Sequence, residues 1–181
     1  LEIDAMGIDI KKYPCCYAIH RALDGLLALR KTHALTPANV VRIDITNSAG
    51  GAAPDFIIVQ GAARDFTGSI NGNLNFLKAG NAQLTLRDNN TFSGTLTVLG
   101  SVLSLADQGR VSGANRVDVR NSVLRWDDSG IQAMSNRVGS TVPIRLDGGA
   151  IEYISRSGTD GAITLGSLTL AGGASVLRVN V

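Results

Sequence analysis

From Leu74 onward, short runs with apolar side chains at alternate positions return at a spacing of roughly twenty residues. Leu84-Thr85-Leu86, Leu103-Ser104-Leu105, Leu124-Arg125-Trp126 and Ile144-Arg145-Leu146 form one series, continued by Leu165 and Leu168. Leu96-Thr97-Val98, Val117-Asp118-Val119, Ile151-Glu152-Tyr153 and Leu177-Arg178-Val179 fall between them. Turn-forming residues separate the runs, as at Asp88-Asn89-Asn90, Ser112-Gly113, Asp147-Gly148-Gly149 and Gly172-Gly173. Alternation gives each strand one dry and one wet face. One rung of this length cannot offset a backbone entropy of ~1–2 kcal/mol per residue. Stacked rungs share a core and pair their backbones ~4.8 Å apart. The pattern predicts a β-solenoid in which Leu86, Leu105 and Leu146 align along one axis. Thr85, Thr97, Asp118, Arg125, Arg145 and Glu152 are expected on wet outer faces.

Composition agrees with that architecture and narrows the function classes. The 181 residues include 21 glycines and only 4% aromatics, which suits many short strands joined by tight turns. A net charge of +2 without a Lys/Arg cluster argues against nucleic acid. No apolar run approaches the ~18 residues of a membrane helix, so no membrane insertion is expected. The chain begins with Leu and shows no signal-peptide pattern, so it reads as an internal piece of something longer.

The chain changes character near Thr46. Both cysteines, both histidines and Lys11, Lys12 and Lys31 precede that point, and only Lys78 follows it. Small residues from Asn47 to Pro54 have linker composition. Three parts are therefore expected: a segment over 1–46, a linker over 47–54 and a solenoid over 55–181. In the first, 8–10 alternates briefly, and Ile19, Leu23, Leu26 and Leu27 recur at helical spacing between Tyr17 and Lys31. Thr36-Pro37 has the form of a helix start, and Val41, Ile43 and Ile45 alternate as a strand. This β-α-β-like segment is too short to hold a core alone. The adjacent Cys15 and Cys16 are poorly placed for a structural disulfide and suit a reducing compartment.

Two stretches carry family resemblances. Ile10-Lys11-Lys12-Tyr13-Pro14-Cys15-Cys16-Tyr17-Ala18-Ile19-His20-Arg21-Ala22-Leu23-Asp24, followed by Leu35-Thr36-Pro37 and Val40-Val41-Arg42-Ile43, resembles the MmgE/PrpD family of 2-methylcitrate dehydratases and cis-aconitate decarboxylases. That family removes water or carbon dioxide from small tricarboxylates without a metal. The resemblance implies a substrate-facing role for Lys11 and motif positions at Cys16 and His20, in a cytoplasmic lyase. It covers only the first quarter of the chain, and the family's large helical domain is missing, so no intact catalytic site is expected.

The second stretch, from Leu84-Thr85-Leu86 through Asn90-Thr91-Phe92-Ser93-Gly94 and Thr97-Val98-Leu99-Gly100 to Leu103-Ser104-Leu105, resembles the autotransporter-associated β-strand repeat. That resemblance implies a right-handed parallel β-helix, exported and displayed at a bacterial outer surface, with an adhesive or structural role. The whole chain thus reads as chimera-like.

Residues that would carry other chemistry are few. Asp127-Asp128 is the only acidic pair considered for hydrolysis of a polysaccharide, and it reads as a turn. No phosphate-binding or calcium motif occurs, and no metal or cofactor is called for. No His follows Thr46 to serve a serine nucleophile. Trp126 could stack on a sugar in a carbohydrate-binding β-helix, although inward burial fits its alternation better. The expected partner is a surface receptor or glycan, with end-to-end self-association through an uncapped last rung near 176–181.

Overall fold

The computed structural model describes residues 17–34, 42–48 and 50–180, with the side chains of 17–23 and 26 excepted. The chain divides into two compact units between Val41 and Arg42. In the first, α1 (Tyr17–His33) carries Arg30, Lys31 and His33 in its last turn, where the helix dipole favours cations. Leu27 and Leu29 on this helix are exposed. The expected strand at 8–10, Lys11, Cys15, Cys16, Thr36-Pro37 and Val41 lie outside the described residues.

The second unit is a parallel β-solenoid built from three sheets. The strands are β1 (Ile45–Asn47), β2 (Asp55–Val59), β3 (Arg64–Phe66), β4 (Ile70–Gly72), β5 (Asn75–Ala79), β6 (Leu84–Leu86), β7 (Asn89–Phe92) and β8 (Thr95–Leu99). They continue as β9 (Val102–Ala106), β10 (Arg110–Val111), β11 (Arg116–Arg120), β12 (Val123–Asp127), β13 (Ile144–Asp147), β14 (Ala150–Ile154), β15 (Leu168–Gly172) and β16 (Val176–Asn180). One sheet runs β1-β4-β7-β10, a second β2-β5-β8-β11-β13-β15, and a third β3-β6-β9-β12-β14-β16. Every third strand of the chain therefore pairs with the next rung, until the first sheet thins to a single bridge between Val111 and Val138. The strand around Ile45 pairs with Ile70 and stacks as part of the solenoid.

Register builds the core one ladder at a time. In the second sheet, Phe56, Phe76, Leu96, Val117, Ile144 and Leu168 lie side by side. In the third, Phe66, Leu86, Leu105, Trp126, Tyr153 and Val179 do the same. Phe76 stacks on Phe56 at 5.9 Å and meets Phe92 edge-on at 5.9 Å, joining sheets across the interior. Leu86, Leu105 and Leu146 are all fully buried in one continuous cluster. Burying each such leucine contributes ~1.5–3 kcal/mol, so neighbouring rungs supply the cohesion that a single rung lacks.

Two expectations need correction. Leu146 does not follow Trp126 on one ladder; it follows Val119 in the facing sheet, and Tyr153 follows Trp126. The cause is the loop after β12. The rung step is 21 residues from Leu103 to Leu124 but 27 from Leu124 to Ile151. Nor are the outer positions uniformly wet. Thr85, Asp118 and Glu152 are buried, because long side chains beside them and the rungs on either side close over them.

The corner between the second and third sheets needs left-handed backbone. Gly80 and Gly100 supply it, and a Cβ at Gly80 would stand 2.3 Å from the Gln60 carbonyl oxygen. The sixth rung, β15 and β16, leaves Leu170, Leu177 and Val179 exposed.

Candidate functional site

The alternation of β11 sends Arg116, Asp118 and Arg120 to the outer face of the second sheet, while Val117 and Val119 enter the core. Next to it, β13 sends Arg145 and Asp147 outward. Parallel register sets Asp118 beside Arg145 and Arg120 beside Asp147. The five side chains line a shallow cleft of about 250 Å³.

Asp118 is the floor of this cleft. One of its carboxylate oxygens, Oδ2, accepts from Nη2 of Arg116 at 3.1 Å and from Nη2 of Arg120 at 3.2 Å. The other, Oδ1, is buried and has no hydrogen-bond partner. Above it, Arg116 and Arg120 are half exposed. Arg145 reaches Asp147 at 3.3 Å. Guanidinium groups carry five donors each, and these carboxylates occupy few of them. The arrangement therefore presents several cationic donors around one unsatisfied acceptor.

A second polar cluster is sealed inside the solenoid. Nε of Arg137 donates to Asp128 Oδ1 at 2.8 Å, with Nη2 2.7 Å from the same oxygen. Nη1 donates to the carbonyls of Asp107 and Gly109, and Nη2 to those of Asp127 and Gln132, all at 2.8–2.9 Å. All five guanidinium donors are thus used. Tyr153 completes the cluster by donating its hydroxyl to Asp128 Oδ2 at 3.3 Å. Burial, reinforced by the Asp128 carboxylate, pushes the Tyr153 phenol above its ordinary value. With every donor and acceptor directed inward, this cluster is a fastening between rungs.

Lys78 is a further buried charge. It sits in the inward ladder between Ile58 and Val98, and its Nζ reaches the carbonyls of Gly100 at 2.6 Å and Gly80 at 3.3 Å. Burial lowers its pKa below the ordinary lysine value.

The residues named from sequence fare differently. Lys11 and Cys16 lie outside the described residues. His20 lies within α1. Trp126 is fully buried between Leu105 and Tyr153, so it offers no ring face to a sugar. Within the acidic pair, Asp127 makes a turn, accepting from Ser129 N and Oγ, whereas Asp128 belongs to the sealed ion pair. Among the described residues, no group of three or more His, Cys, Asp and Glu side chains could hold a metal. No described helix is long and apolar enough to cross a membrane.

Sequence reasoning placed Asp118 and Arg145 on the outer face but missed the cleft. The available signal was Arg116-Val117-Asp118-Val119-Arg120 beside Arg145-Ile144-containing β13, two charged alternations that stacking brings together. Comparison of the chain with protein-family models, curated proteins and solved structures returns no match.

Proposed function

We propose that this chain is a structural or adhesive solenoid segment of a surface-displayed bacterial protein, of the passenger type, and that it catalyses no reaction. The observation that carries this reading is the unbroken stacking of the second and third sheets over six strands each. Such a body places its interior entirely in the service of cohesion and leaves long regular outer faces for contact. Those faces are knitted from rung to rung. Asn71 Oδ1 accepts from Thr91 Oγ1 at 2.7 Å, Asn75 Oδ1 from Thr95 N at 3.0 Å, and Glu152 bridges Arg125 at 2.6 Å and Asn180 at 3.0 Å. The absence of cysteine after Cys16 suits export as an unfolded chain with no disulfide to form on the way.

Surface shaving tests the reading. Intact cells producing the protein are treated with a broad protease, and the solenoid is followed with an antibody. Loss of the antigen before any cytoplasmic marker leaks supports the proposal. Protection that lasts until lysis overturns it, as does turnover of methylcitrate or cis-aconitate by the purified chain.

A further inference from the structure

We propose that the outer cleft between β11 and β13 binds an acidic saccharide, with the arginines holding its carboxylate or sulfate and Asp118 holding a ring hydroxyl. The inference deepens the adhesive reading above, and rests on it for its biological setting only. Its physical basis is a mismatch of needs within the cleft. Three guanidiniums face two carboxylates, so a formal positive charge is left over. The Asp118–Arg116, Asp118–Arg120 and Arg145–Asp147 bonds leave further donors on all three arginines, whose side chains are partly exposed. Those donors match the paired oxygens of a carboxylate or sulfate.

The discriminating feature is Asp118 Oδ1. A buried carboxylate oxygen without a partner lacks a hydrogen bond worth making, and only a donor can supply it. Inorganic sulfate brings acceptors alone and leaves this oxygen as it is. Neutral sugars bring hydroxyl donors but nothing to answer the excess positive charge. An anionic group on a hydroxylated ring answers both. Arg116 and Arg120, which hold the other carboxylate oxygen, have side chains 52% and 47% exposed, and the hydroxyl enters as they shift to take the anion. Asp118 itself is held in place by the core positions on either side of it, Val117 and Val119, both fully buried.

Calorimetric titration of the purified chain tests this. The probes are an oligogalacturonate, a sulfated oligosaccharide, a neutral malto-oligosaccharide and inorganic sulfate. The two acidic probes distinguish a carboxylate from a sulfate as the preferred anion. Saturable binding of at least one of them is expected, about tenfold or more tighter than either the neutral sugar or sulfate. Arg145→Gln and Arg120→Gln are each expected to weaken it about tenfold, whereas Arg64→Gln on another face leaves it unchanged. Asp118→Ala, which leaves no acceptor, should erase the preference over inorganic sulfate. Circular dichroism checks that each variant folds, and if Asp118→Ala does not, the two arginine variants decide alone. No saturable binding of either acidic probe, equal binding of sulfate, or indifference to the arginine changes would overturn the proposal. Because binding is measured on purified protein and display on intact cells, the failure of one does not mimic the failure of the other.

Discussion

Replacing Arg137 with methionine removes the most heavily bonded side chain in the described solenoid. Arg137 is fully buried, and its partner Asp128 is 2% exposed. Methionine keeps much of the apolar stem but strands the carboxylate, which retains only the Met134 amide at 3.2 Å and the Tyr153 hydroxyl at 3.3 Å. It also frees the carbonyls of Asp107, Gly109, Asp127 and Gln132. Breaking one side of a buried pair costs about 3–5 kcal/mol. The carbonyls add less than their number suggests, since the loop can open and let water reach them. In a body of this size the loss lowers the melting temperature by roughly 6–20 °C. Urea denaturation followed by circular dichroism measures it as a fall in midpoint. Hydrogen exchange locates it, with the Ile131 and Met134 amides deprotected first, because both donate to aspartates of this corner. Pairing Arg137→Met with Asp128→Leu removes both charges and should recover a large part of the loss. A cost below about 1 kcal/mol for Arg137→Met, or a double variant as unstable as the sum of its parts, would refute the argument that the charge pair fastens the rungs.

Two further outcomes follow from titrating groups. Asp107 is held below the usual carboxylate value by the Ile131 amide first and by Arg87 second, against the opposing effect of burial. Its ionised form is favoured by folding, so its contribution is complete above the ordinary value near 3.8 and is lost as pH falls through the lower folded value. Acid unfolding curves below pH ~4 should therefore be shallower in Asp107→Asn than in the parent, and identical slopes would remove Asp107 from the account. Lys78 has the opposite charge and the same direction of shift. Its folded value lies below the ordinary 10.5, so the unfolded chain holds more protons in between and stability rises as pH climbs toward 10. Lys78→Met should flatten that rise below the ordinary value of 10.5, measured by urea midpoints. An unchanged slope would show that the amine ionises as freely in the fold as in water.

Much of the fold was legible because alternation is a direct record of which face is dry. Leu84 and Leu103, and Leu86 and Leu105, could be assigned to two ladders of one sheet from spacing alone, and they pair as the spacing requires. The register failed beyond Trp126, where residues 128–143 lengthen the rung. That stretch has little apolar alternation; Val138 alone continues the ladder of Val111, and the charged Arg137 is buried next to it. A buried arginine with five saturated donors looks on the page like any surface arginine, since its partners are mostly backbone carbonyls and carry no sequence signature. Lys78 was hidden in the same way, as a charge on an inward ladder that terminates on turn carbonyls. Trp126 was legible as a core residue because both its neighbours in the run, Arg125 and Asp127, belong to the other face.

The cleft was illegible for a different reason, and that reason bears on where function can reside in such a body. Asp118 and Arg120 are each 27 residues from their register partners Arg145 and Asp147, and only the pairing of β11 with β13 makes them neighbours. Inside the solenoid, adjacent rungs mostly set apolar beside apolar, and a charge such as Lys78 is admitted only where turn carbonyls receive it. Outside, adjacency imposes no such rule, so unlike charges can be set side by side at one rung without disturbing the ladder beneath. Val117 and Val119 against Ile144 and Leu146 hold Asp118 against Arg145 to the spacing of a β-sheet, and the aliphatic core thereby fixes the geometry of a polar site it never touches. A rung that alters its outward residues changes the contact surface at little expense to stability, whereas one that alters its inward residues loosens both neighbours.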